Sequence, residues 1–153
     1  MSDAEAALAT WLARLELRDP VRIEPGLERV ATALTRMGLK PPPFPLLTIG
    51  GTNGKGSVAT YLTAFLRAEG EDVVGTYTSP HLGEYRERIA VDGRPIEAAP
   101  LVRAFEAAQA GAEGLSLTYF EFGTAAALAA FRDAGVRVAV LEVGLGGRLD
   151  AVN

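Results

Sequence analysis

The residues best equipped for chemistry stand in three places: the run GGTNGKGS at 50–57, the pair Ser79 and His81, and Glu142. In the first, glycines let backbone amides approach an anion closely, Lys55 adds a compact positive charge and Ser57 a hydroxyl, which together equip a loop to hold nucleotide phosphates. The strict GxxxxGK[ST] spacing is not met, because Ile49 stands at its first glycine and Gly56 follows Lys55 in place of Ser or Thr. The run is a variant loop, and its bland alternative is a Gly-rich turn with an exposed lysine. Glu142 interrupts the apolar run VAVLEV, where an unpaired carboxylate is costly; a bound cation or a strand-end salt bridge with an arginine would each account for it. Ser79, before Pro80, reads as a hydroxyl ligand or as a plain turn residue. His81 is the only histidine, and a lone loop histidine is not assigned as a general base. Arg86 and Arg88 could meet substrate carboxylates or form a solvated edge with Glu84 and Glu87.

The elements around these residues follow from periodicity. Ser2 and Glu5 have capping-box spacing, and Leu8, Trp11, Leu12 and Leu15 repeat as a helical stripe. A second helix has Pro25 in its first turn, Leu27, Val30, Ala31, Leu34 and Met37 as its apolar stripe, and Gly38 at its end. PPPFP at 41–45 is a stiff extended connector. Beyond it, short apolar runs alternate with helical stripes, the pattern of a parallel sheet with crossover helices. Strands are expected at 46–49, 73–77 and 136–143, and helices near 98–110 and 119–134. The helix after the phosphate loop is expected to bury Val58, Tyr61, Leu62, Phe65 and Leu66 on one face. Asp92-Gly93 between 88–91 and 94–96 predicts a small projecting hairpin. In an open sheet of this kind ligands gather outside the carboxyl ends of the strands, and here those ends carry the loop, residues 79–81 and Glu142.

Composition narrows the function further. With 48% hydrophobic and 22% charged residues the 153-residue chain is globular in type, and 15 basic against 19 acidic residues give a net charge of −4, which provides no basic field for nucleic acid or anionic lipid. Cysteine is absent, which excludes thiolate metal sites and a cysteine nucleophile. No segment has the apolar length of a membrane span, and the acidic start lacks the form of a signal peptide, so a cytoplasmic location is the expectation.

Specific blocks then carry a resemblance. GTNGKGS at 51–57 is similar to the phosphate loop of Mur ligases and their folate relatives, with Lys-Gly-Ser typical of the latter. TYTSPHLGEYRERIAVDGRPI at 76–96, LTYFE at 117–121 and LEVGLGGRLDAVN at 141–153 resemble, in order, further blocks of the folylpolyglutamate synthase and dihydrofolate synthase family, with one small departure in that Val152 stands where Thr is usual. The resemblance runs from about Pro25 to the last residue.

That resemblance implies an α/β fold, a P-loop-type parallel sheet with flanking helices belonging to an incomplete Mur-ligase central ATPase domain at 41–153, preceded by a helical segment at 1–40, with a C-terminal domain absent. It implies ATP binding by Gly51, Thr52, Asn53, Gly54, Lys55, Gly56, Ser57 and Val58, Mg²⁺ held through Ser79 and Glu142, and catalytic roles for Lys55 and Glu142. It also implies a folate or pterin pocket from Gly26, Leu27, Glu28, Thr118, Tyr119, Phe120, Glu121, Leu149, Asp150 and Ala151. Without it, Phe120 and Glu121 read equally well as helix core and first-turn acid. The implied reaction is ATP-dependent joining of L-glutamate to a folate or dihydropteroate carboxylate, by a monomeric parent protein with small-molecule substrates and neither nucleic acid nor membrane as partner. The rivals are another Mur-type ligase, a P-loop kinase or NTPase, and a nucleotide-binding fragment that makes no amide.

Overall fold

The Ser2 side chain accepts a hydrogen bond from the Glu5 N–H at 3.3 Å and so caps α1 (Asp3–Glu16), as the capping-box spacing predicts. The computed structural model describes residues 2–18 and 27–152. The expected place of Pro25 in the first turn of the second helix lies outside the described residues. That helix, α2 (Glu28–Arg36), buries Val30, Ala33 and Leu34, and Gly38 at φ +67° ends its final turn. After the proline connector come β1 (Leu46–Ile49), α3 (Lys55–Ala68), β2 (Val74–Tyr77), a single 3-10 turn at Tyr85–Arg88, β3 (Ile89–Val91), β4 (Arg94–Pro95), α4 (Ala98–Gly111), α5 (Tyr119–Asp133) and β5 (Val138–Glu142).

The chain forms two compact units, one of Met1–Pro42 with Glu97–Ala130 and the other of Pro43–Ile96 with Phe131–Asn153. A single division at 40/41 is therefore too simple. The sequence break at the prolines is real, but α4 and most of α5 group with the first two helices. In this helical unit α1 and α2 both pack on α4, and Trp11, Phe105 and Phe122 form an aromatic cluster with ring centroids 5.8–6.3 Å apart. From Glu121 to Ala130 every residue of α5 is buried. Alanine at 125, 126, 127, 129 and 130 gives that stretch the small surface a central helix needs.

The sheet unit has strand order β1-β5-β2-β3-β4. The strands β1, β5 and β2 run parallel, while β3 and β4 are antiparallel, so the sheet is mixed rather than purely parallel. The 88–96 hairpin does not project: β3 pairs with β2 over Gly75–Val91, Thr76–Ala90 and Tyr77–Ile89 and so extends the sheet. All five residues of β5 are buried, as its nearly unbroken apolar run predicts for a central strand. On one face α3 packs Ala59, Leu62 and Leu66 against Val74, Val138, Val140 and Ile49. On that face also the buried Thr63 and Thr76 hydroxyls lie 2.6 Å apart. On the other face Gly75 makes room for Phe131, whose ring would stand 2.8–3.0 Å from any Cβ built there.

One expected stripe is wrong in part. Val58, Tyr61 and Phe65 are exposed at 51%, 77% and 59%; Leu62 and Leu66 do turn inward and are partly buried, and the buried residues beside them are Ala59 and Thr63. Both sets have helical spacing; the small residues Ala59 and Thr63 let the helix approach the sheet closely, so they won the inner face. Among the described residues no helix is long and apolar enough to cross a membrane.

Candidate phosphate and metal site

Register brings the three sequence-predicted places together at one edge of the sheet unit. Ile49 pairs with Glu142, and Tyr77 with Leu141, so the parallel strands end level and deliver the 50–57 loop, Glu142 and the loop beginning at Thr78 side by side. Gly54 takes φ +74°, a conformation that favours glycine, and is the N-cap of α3. The chain thus turns from β1 into a 14-residue helix whose unpaired N–H groups and positive dipole end face the loop. Thr52, Asn53, Ser57 and Val58 are exposed along this turn. Lys55 opens the helix, with its Cγ 3.7 Å from where a Cβ on Gly51 would stand. Among the described residues its ammonium has no ion-pair partner.

Glu142 is 6% exposed, and its carboxylate faces the first turn of α3: a Cβ on Gly56 would lie 3.5 Å from Oε2 and 3.7 Å from Oε1. The Ser79 N–H donates to Oε2 at 2.9 Å. Among the described residues no lysine, arginine or histidine pairs with this carboxylate, so the strand-end salt bridge with an arginine is not what keeps it there. A buried carboxylate with one amide donor retains most of its capacity to accept. Phosphate bound on the neighbouring amides would repel it unless a cation lay between them. The donors expected from the sequence, the Glu142 carboxylate and the Ser79 hydroxyl, are oxygen ligands of the kind Mg²⁺ takes, few in number and completed by phosphate oxygens and water. Among the described residues no group of three or more acidic, histidine or cysteine side chains could hold a metal by itself.

The loop from 78 to 88 corrects another expectation. Arg86 does sit at a solvated edge with Glu84, at 2.8 Å, but Arg88 is only 8% exposed and its Nε–H donates to His81 Nδ1 at 2.8 Å. Glu87 is also more than a surface acid: its carboxylate accepts the N–H groups of Leu82, Gly83 and Glu84 at 2.9–3.2 Å. Those backbone donors hold its pKa below the usual carboxylate range. Sequence reasoning missed the Arg88–His81 bond because nothing local distinguishes a buried arginine from an exposed one.

The residues implied for a ring pocket are divided between the units. Leu27, Glu28 and Thr118–Glu121 belong to the helical unit, Leu149–Ala151 to the sheet unit, and Gly26 lies outside the described residues. In the helical unit Thr118 and Glu121 form a capping box at the start of α5. The Glu121 N–H donates to Thr118 Oγ1 at 3.2 Å, and the Thr118 N–H donates to Glu121 Oε2 at 2.8 Å. Arg29 clamps the same carboxylate through both oxygens, at 3.0 and 3.3 Å. Phe120 and Leu27 keep part of their apolar surface accessible. In the sheet unit Asp150 accepts the N–H groups of Leu145 at 2.9 Å and Val152 at 3.1 Å, which folds the 145–152 loop and leaves Leu149 53% exposed. A cavity of about 80 Å³ in the helical unit is lined by Trp11, Arg14, Leu15, Arg18, Gln109 and Phe122, none of them predicted as site residues.

No family model matches the chain. It is 46% identical over 151 residues to the dihydrofolate synthase/folylpolyglutamate synthase of Escherichia coli K12, covering 98% of this chain and 35% of that protein. Among solved structures it superposes with a TM-score of 0.88, at 44% identity, on E. coli FolC in complex with DHPP and ADP, covering 99% of this chain and 36% of the other. The Yersinia pestis bifunctional folylpolyglutamate synthase/dihydrofolate synthase complexed with AMPPNP and Mn ion gives 0.86 at 47% identity, with 99% and 37% covered. The chain spans about a third of the length of these relatives. Likeness of this strength over nearly all of its own residues places the chain in the folylpolyglutamate synthase/dihydrofolate synthase family.

Proposed function

We propose that this chain supplies the nucleotide and metal half of an ADP-forming ligase that joins L-glutamate to the carboxylate of a folate or dihydropteroate, acting in the cytoplasm. The observation that carries the reading is the buried Glu142 carboxylate set against the first turn of α3 with the Ser79 amide as its protein donor. The relatives' names, and the ADP and AMPPNP with Mn ion in their structures, support it.

The chemistry asked of the protein is positional. A substrate carboxylate oxygen attacks the γ-phosphorus of ATP, the bond from that phosphorus to the bridging oxygen breaks, and ADP leaves an acyl phosphate. The glutamate amine then attacks the acyl carbon, phosphate departs, and the nitrogen loses a proton. No protein nucleophile is required. The amides of Gly51–Ser57 and the N-terminus of α3 would hold the β- and γ-phosphates, and Lys55 would offset charge that moves onto the bridging oxygen. Ser79 and Glu142 would hold Mg²⁺, which when bound would neutralise the phosphate oxygens. Within the helical unit Leu27 and Phe120 keep apolar surface accessible and would offer cover to a pterin ring. Since Glu121 and Asp150 already accept local donors, ligand N–H groups would have to use their remaining lone pairs.

The test is ADP release from the full-length polypeptide carrying this chain, with L-glutamate and with dihydropteroate or tetrahydrofolate as acceptor. Release dependent on both co-substrates and abolished by Lys55→Ala is the expected result. Release indifferent to glutamate would point to a simple NTPase, and release with a cell-wall nucleotide precursor in place of the folate would point to a different Mur-type ligase. Because the chain spans about a third of its relatives, a second reading holds for it taken alone: nucleotide binding without amide synthesis.

A further inference from the structure

We infer that Arg88 is a positioning residue, acting through His81 to hold the loop that presents Ser79 to Glu142; the inference rests on the proposed role of those two residues as the cation-holding pair. The loop leaves β2 at Thr78 and returns at Arg88, and both ends of this interval are tied to the same residue. The Thr78 N–H donates to the Arg88 carbonyl at 2.9 Å, and the Arg88 Nε–H donates to His81 Nδ1 at 2.8 Å. Between these two ties stands Ser79, whose N–H reaches Glu142 at 2.9 Å. On the far side Glu87 gathers the amides of Leu82, Gly83 and Glu84. The guanidinium lies 5.4 Å from the Tyr85 ring centroid and the His81 ring, tilted by 53°, lies 5.9 Å from it, so both members of the pair also pack against one aromatic side chain.

Burying the Arg88 cation to 8% exposure is costly, and a methionine or leucine would fill the volume more cheaply. What the guanidinium adds is a planar, permanently charged donor with a fixed direction. With Nδ1 as its acceptor, the guanidinium N–H gives the imidazole ring one preferred orientation. The ring is two residues from Ser79, so tethering it restrains the 79–81 backbone. Without the bond, the segment carrying Ser79 would lose one of its ties and keep the Ser79 contact with Glu142 and the Thr78 bond to Arg88.

The experiment is amide hydrogen exchange at Ser79, read by NMR on the chain without nucleotide, in Arg88→Met, His81→Phe, His81→Asn and the Arg88→Met/His81→Phe double variant. The expected result is exchange at Ser79 about tenfold faster in both Arg88→Met and His81→Phe, with no further increase in the double variant. His81→Asn, whose amide oxygen can take the place of Nδ1, should restore the wild-type rate. Mn²⁺–ADP affinity should fall in the same two single variants and recover in His81→Asn. If Arg88 merely fills space, Arg88→Met lowers the melting temperature while Ser79 exchange stays at the wild-type rate and His81→Phe is silent; that result overturns the inference. Should Arg88→Met fail to fold, His81→Phe against His81→Asn decides the matter alone. Failure of the wild-type chain to bind Mn²⁺–ADP would instead count against the proposed function, since the exchange readout needs no ligand.

Discussion

Two buried glutamates, one in each unit, behave in opposite ways. Glu121 is 4% exposed and paired inside the fold: Arg29 clamps both oxygens and the Thr118 N–H donates to one of them. Glu142 is 6% exposed and has one amide donor and, among the described residues, no cation. The first is explained by folding alone, as a helix cap tied to a neighbouring helix. The second is not, and its unspent capacity lies where the phosphate loop would place negative charge. A buried carboxylate with no internal cation and unused acceptor capacity points to a ligand more directly than one whose charge is paired within the fold.

The contrast can be broken or sharpened by substitution. The largest effect is expected for Glu142→Gln, which should weaken Mn²⁺-dependent ADP binding by about 100-fold while leaving the melting temperature unchanged or raised, since a poorly compensated buried charge is removed. Calorimetric titration with and without metal reads the first quantity and thermal unfolding the second. Glu121→Ala should do the reverse. It should cost about 2 kcal/mol of stability, a value reduced from that of a fully buried pair because Arg29 keeps about a quarter of its side chain exposed, with nucleotide affinity unaltered. Denaturant unfolding checks it, and a loss of nucleotide binding there would blur the distinction between the two residues. Thr118→Ala removes the cap alone and should cost about 1 kcal/mol by the same measurement.

The smallest effect concerns Glu87. Its folded pKa is depressed by the amides of Glu84, Leu82 and Gly83, so its contribution is present above the ordinary carboxylate pKa and is lost as pH falls through the lower folded value. Protection of the Leu82, Gly83 and Glu84 amides should therefore persist through mild acid and disappear only below the usual carboxylate range. Glu87→Gln should remove that pH dependence.

The elements that carry the candidate site were legible because they are local. A strand, a Gly-rich turn and a helix declare a phosphate loop within a short stretch, and the apolar runs expected as strands at 46–49, 73–77 and 136–143 need only parallel register to bring their carboxyl ends together. What was not legible depends on partners distant in sequence. The inner face of α3 could not be chosen between Val58-Tyr61-Phe65 and Ala59-Thr63, since both have helical spacing and close approach to the sheet decided between them. The hairpin was found but not its pairing with β2, and Arg88 carried no sign of burial, because an arginine is buried only where a distant acceptor is waiting. The regrouping of α4 and α5 with the first helices likewise reflects contacts made across the length of the chain.

The most direct measurement is the anomalous scattering of Mn²⁺ in crystals of this chain grown with AMPPNP. The account predicts a single strong peak within bonding distance of the Glu142 carboxylate and the Ser79 hydroxyl, with Lys55 against the phosphates. A peak on other carboxylates, or nucleotide bound with Glu142 turned away from it, would contradict the account.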